Sequence, residues 1–150
     1  LATELRDDHA SSTYARFGAM LEARIAVDAG DMTGAEAALR WALTAGDTGS
    51  DIGQLIQLRL ARVLADQGNE TEALAILAKG SSAYPVAYAQ AEGDIHLAAG
   101  RPEAALAAYR QGRDLASDLG QYSVVLDNKV RTLETRLPPS SEDTPAEDAS

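Results

Sequence analysis

Cysteine is missing from all 150 residues. Its absence excludes disulfides, a thiolate nucleophile and a cysteine-ligated zinc site, while leaving the cellular compartment open. Aromatic residues are scarce, 5% of a chain that is 45% apolar, so alanine and leucine have to fill the interior. Such side chains suit close-packed helices and argue against a β-sandwich or barrel. No run of 18 apolar residues occurs, so no segment of this chain is expected to span a bilayer as a helix. Bases are few: 13 Lys and Arg face 23 Asp and Glu, a net charge of −10. That balance speaks against a nucleic-acid backbone or an anionic membrane surface as partner. Of the two histidines, His9 falls in an early loop and His96 stands alone on an apolar helix face, so no metal-ligand spacing arises. The acids spread along helix surfaces, and Asp28, Asp31, Asp66 and Glu70 sit beside turns where capping explains them. A phosphate-binding glycine loop needs a preceding strand, and none is expected. We therefore expect a non-enzymatic chain with no catalytic residue, cofactor or metal, folded as one domain of ordinary size.

What the chain does contain is an internal repeat. Aligned on Gly30, Gly68 and Gly100, three segments agree well beyond the glycine. Seven residues before it stand Ala23, Ala61 and Gly93; five after it, Ala35, Ala73 and Ala105; nine after it, Leu39, Leu77 and Tyr109. Two antiparallel helices joined by a tight turn cross closely when a small side chain stands on each, and a bulkier residue one turn on fills the space beside the contact. The glycines lie 38 and 32 residues apart, which brackets the 34-residue period of tetratricopeptide repeats. One such pair cannot bury its apolar face alone, so pairs stack. The expected fold is all-α, a tetratricopeptide-like right-handed α-solenoid of about three helix pairs with a C-terminal closing helix.

In chain order, residues 1–12 read as the remnant of a preceding repeat and a loop, with Leu1, Ala2 and Leu5 at helical spacing over 1–8. The chain opens on Leu1 rather than methionine, and we expect it to belong to something longer. Ser12 or Thr13 can cap the next helix, which stops near Gly30. Further helices are expected over 33–45, from a cap at Asp51 to Gly68, over 70–79, over 85–99, over 102–119 and over 121–137. The loop 46–50 explains the longer first spacing. Residues 13–137 then form the repeat domain, and 138–150, with four acids and no bases, a disordered acidic tail.

The run Ala38-Leu39-Arg40-Trp41-Ala42-Leu43, the run Leu58-Arg59-Leu60-Ala61-Arg62-Val63-Leu64, the segment Ala91-Glu92-Gly93-Asp94-Ile95 and the ending Val125-Leu126-Asp127-Asn128-Lys129-Val130 resemble the ancillary Sec translocon subunit family. The resemblance covers about 12–137. It implies a periplasmic tetratricopeptide domain behind an N-terminal membrane anchor that is not in this chain, placed at the bacterial inner membrane. It also implies association with Sec translocon subunits and a membrane-anchored periplasmic chaperone. A generic soluble scaffold in another assembly is the alternative.

Binding is expected on the concave side, which the first helix of each pair lines. Counted back from the turn glycines, six residues before stand Arg24, Arg62 and Asp94; ten before, Met20 and Leu58; thirteen before, Phe17. These six form the candidate protein-binding set, a mixed apolar and basic groove. Packing between repeats is an equal alternative for Leu58, and pairing of the arginines with Asp28 and Asp66 one turn on is the bland one for Arg24 and Arg62. The asparagines and lysines that a carboxylate-clamp groove needs are not there. Trp41 is expected to pack under the neighbouring repeat.

Overall fold

The computed structural model describes residues 13–137. The expected helix over 1–8, the Ser12 cap and the disordered tail over 138–150 lie outside the described residues. Those described form seven helices and no strand: α1 Thr13–Asp28, α2 Met32–Thr44, α3 Asp51–Asp66, α4 Glu70–Leu77, α5 Pro85–Ala98, α6 Pro102–Asp118 and α7 Val124–Arg136. Helices α1/α2, α3/α4 and α5/α6 pair. Then α2 packs on α3, both α3 and α4 meet α5, and α7 closes on α6. This is the expected α-solenoid of three pairs and a closing helix.

The repeated residues explain the pairing. Gly30, Gly68 and Gly100 have φ of +78°, +83° and +72°, the left-handed conformation that ends a helix without a Cβ clash. Each turn closes with the same hydrogen bonds: Asp31 N–H to Ala26 C=O at 2.8 Å, Asn69 to Leu64 at 2.8 Å and Arg101 to His96 at 2.9 Å. All nine small and bulky positions of the pattern are buried. At the third crossing the fit is tightest, because a Cβ on Gly93 overlaps the Tyr109 ring. A glycine there and the largest of the three partners, Tyr109, are one packing solution.

Helix boundaries move where capping chemistry decides them. Ser50, not Asp51, caps α3: its Oγ accepts from Gly53 N–H at 3.2 Å, and Asp51 becomes the first residue, where its charge faces the helix N-terminus. The closing helix starts at Val124 rather than 121, because Ser123 Oγ accepts from Leu126 N–H at 3.3 Å. Pro85 and Pro102 open α5 and α6 as expected. Trp41 is half-buried against the main apolar cluster.

Two features of the fold left no mark in the repeat pattern. Arg16 is buried on α1, and its Nε donates to Ala42 C=O at 3.1 Å while Nη2 donates to Asp47 C=O at 3.1 Å. The guanidinium thus serves carbonyls at the end of α2 and in the following loop, where a cation meets the negative end of the helix dipole. Gln54 likewise ties two loops together, accepting from Ser81 Oγ–H at 2.6 Å and from Ala83 N–H at 3.1 Å.

Candidate functional site

Helix α3 packs directly on α5, but between α1 and α3 a groove of about 380 Å³ stays open. Leu39 of α2 also lines it. Met20, Ala23 and Val27 from α1 and Val63 from α3 complete an apolar floor, and Arg24, Arg59, Arg62 and Asp66 stand around it. Residues 59, 62 and 66 are spaced i, i+3, i+7, so α3 turns one polar stripe toward the opening.

The arginines are not equivalent. Arg24 Nε lies 3.1 Å from Asp28 Oδ2 one turn on, with both side chains largely exposed; such a pair contributes little and leaves the guanidinium accessible. The side chains of Arg59 and Arg62 make no hydrogen bond or ion pair with any described residue, and the alternative Arg62–Asp66 pair does not form. Elsewhere acids neutralise arginines across repeats. Arg40 reaches Glu72 at 2.8 Å, Arg101 reaches Glu70 at 2.8 Å and Arg110 reaches Glu134 at 2.7 Å. On a chain of net charge −10, the groove is a local basic site.

Of the six residues expected to bind, Met20, Arg24 and Arg62 come together here. Met20 is floor rather than rim, only 3% exposed. Phe17 lies on α1 outside the lining and is half-exposed. Leu58 is buried in the main apolar cluster and, although it sits four residues before Arg62, it does not line the groove. Asp94 is occupied otherwise. Its Oδ1 accepts from Tyr109 Oη–H at 2.7 Å and from Lys129 Nζ–H at 2.6 Å, and the Lys129 ammonium lies 4.9 Å from the centre of the Tyr109 ring. Burial, helped by Asp94, holds the Tyr109 phenol above its usual range. Asp94 is therefore a closing contact between α5, α6 and α7.

Counting in steps from the glycine missed Arg59, Val63 and Asp66. The i, i+3, i+7 run of 59, 62 and 66 carried the signal, but a charged stripe on a helix is by default a solvated face. Among the described residues no group of three or more His, Cys, Asp or Glu could hold a metal ion, and no helix is long and apolar enough to cross a membrane. A family model described as a tetratricopeptide repeat-like domain matches residues 1–135. No curated protein and no solved structure matches the chain.

Proposed function

The chain belongs to the tetratricopeptide repeat-like domain family, and from that premise we propose that it is a protein–protein interaction module whose working face is the arginine-rimmed groove between α1 and α3. The observation that carries this reading is the pair Arg59 and Arg62, which meet no acid among the described residues at the rim of an apolar floor. Domains of this family are typically interaction scaffolds. The partner segment is amphipathic and acidic: its apolar side chains cover Met20, Val27 and Val63, and its carboxylates take the guanidinium groups in forked hydrogen bonds. Repulsion from the other acidic surfaces then restricts such a segment to this face.

In finer terms we infer that the chain is the periplasmic domain of an ancillary subunit of the bacterial Sec protein-export translocon. It is held at the inner membrane by an anchor outside these residues and works with translocon subunits and a membrane-anchored periplasmic chaperone. The runs 38–43, 58–64, 91–95 and 125–130 support that reading through their resemblance to the translocon family.

Both levels meet one experiment. The membrane-anchored protein and its R59E/R62E variant are used to recover partners from solubilised membranes. We expect unchanged helicity and a loss of about tenfold or more in recovered translocon subunits and chaperone. Equal recovery by a folded variant removes the groove from the proposal. Wild-type protein that brings down a different assembly, in a manner the variant abolishes, keeps the groove and overturns the translocon role in favour of a scaffold elsewhere.

A further inference from the structure

We propose that the acidic segment following α7, residues 138–150, docks in the groove between α1 and α3 and competes there with the partner. The competition rests on the reading of that groove as the binding face. The segment carries Glu142, Asp143, Glu147 and Asp148 and no base. Residues 1–12 match the groove less well, because Arg6 stands among their acids. Among the described residues, Arg59, Arg62, Lys79 and Arg136 make no ion pair. Lys79 follows α4 and Arg136 ends α7, each on its own, whereas Arg59 and Arg62 stand one turn apart beside an apolar floor. Two neighbouring guanidinium groups suit two neighbouring carboxylates, such as those at 142–143 and 147–148.

The fold brings the segment within range. Helix α7 runs antiparallel to α6, with Leu126 beside Gly112 and Glu134 bonded to Arg110, and is therefore parallel to α5. Lys129 of α7 meets Asp94 of α5 at 2.6 Å, and Asp94 is the register equivalent of Arg24 and Arg62. The closing contact and the groove arginines thus share one row across the stack. Leu137 lies eight residues beyond Lys129, about 12 Å along the helix. The groove is two helix spacings away, roughly 20 Å, which puts Arg62 about 23 Å from Leu137. A proline-rich chain spans about 3.1 Å per residue, and Pro138, Pro139 and Pro145 make this one such. Glu142 and Asp143 therefore fall short. Glu147 and Asp148, ten and eleven residues on, reach. These two carboxylates take Arg59 and Arg62. Tethering keeps them at a local concentration of order millimolar, so weak bonds suffice. A partner that also covers the apolar floor displaces the segment, while one that offers charge alone does not.

Paramagnetic broadening in the whole chain tests this. Ala146→Cys supplies a single thiol in a cysteine-free sequence, and a nitroxide is attached there. We expect the label to broaden the amide signals of Val27 and Val63, and E147Q/D148Q to remove that broadening while E142Q/D143Q leaves most of it. Salt at about 0.5 M should weaken it by about twofold or more. All four acids lie outside the helices, so the fold is not the variable. In the membrane-anchored protein, E147Q/D148Q should raise partner recovery by about twofold or more. Val27 and Val63 signals indifferent to the label overturn the docking, as does broadening that survives E147Q/D148Q. Unchanged recovery by E147Q/D148Q overturns the competition. Loss of partners from R59E/R62E without any such broadening keeps the groove as the binding face and removes only the segment from it. Broadening in a chain whose R59E/R62E variant still recovers its partners keeps the docking and overturns the binding face.

Discussion

The third repeat is sealed and the first is open, although both are built on the same small-and-bulky crossing. At the closed end, α7 buries Leu126, Val130 and Leu133 against Ala105 and Tyr109, while Lys129 and Asp94 lock the contact and Arg110–Glu134 bridges its outer edge. The outer face of α7 carries exposed Asn128, Arg131, Thr132 and Thr135, which suits the terminal surface of a stack, with Val124 and Val125 exposed only at its first turn. At the open end, α1 turns four large apolar residues outward and stands apart from α3 across the groove. The residue six before the turn glycine states the contrast: arginine in the first two repeats, a lysine-bound aspartate in the third. Repeated positions build the stack, and the departures from repetition give each end its task.

Three substitution sets test that contrast, beginning with the largest effect. Gly93→Ala drives a methyl into the Tyr109 ring and should cost about 3 kcal/mol, with much of the loss returned when Tyr109→Leu is added. At the middle crossing, Ala61→Leu and Ala73→Leu overpack fully buried sites and should each cost about 1–3 kcal/mol. Ala23→Leu, whose side chain can grow into the groove, should cost clearly less. Chemical denaturation ranks all of them, and equal losses at Ala23 and Ala61 mean that the open end is as tightly packed as the rest.

A smaller effect comes from the lock. Burial and the hydrogen bond to Asp94 raise the Tyr109 pKa in the folded chain, so the fold keeps a proton that the unfolded chain gives up. Stability from this group is present in full below about pH 10, the unfolded value, and falls as pH rises beyond it. Tyr109→Phe should cost about 1 kcal/mol at neutral pH and flatten the decline in melting temperature on the alkaline side. An alkaline decline of unchanged steepness places its cause in other groups. Least of all, Arg40→Ala removes two exposed ion pairs, to Glu36 and Glu72, and should change stability by no more than about 0.5 kcal/mol, readable in the same denaturation series.

The helices and their pairing were legible because their signals are local. A glycine that must take positive φ, a proline at a helix start and a small residue at a fixed step from the turn act within one or two turns of chain. The caps at Ser50 and Ser123 were misjudged by one to three residues, since several polar residues compete for each N-terminus and only backbone geometry selects among them. Of the candidate site, Arg24, Arg62 and Met20 were readable from register. Leu58 was not, because positions ten before the glycine sit on the boundary between groove and core, and helix separation decides which side they fall on.

By itself, then, the sequence determined the all-helical stack, its three crossings and its closing helix, since side-chain size at a repeated position sets how near two backbones can come. Tertiary structure alone decided which charges remain free. Arg40, Arg101 and Arg110 find their acids 32, 31 and 24 residues away, Arg16 turns inward onto carbonyls 26 and 31 residues on, and Arg59 and Arg62 reach none among the described residues. Coulomb energy depends on distance in space rather than in sequence, so a basic groove on an acidic chain takes shape only when the helices are in place.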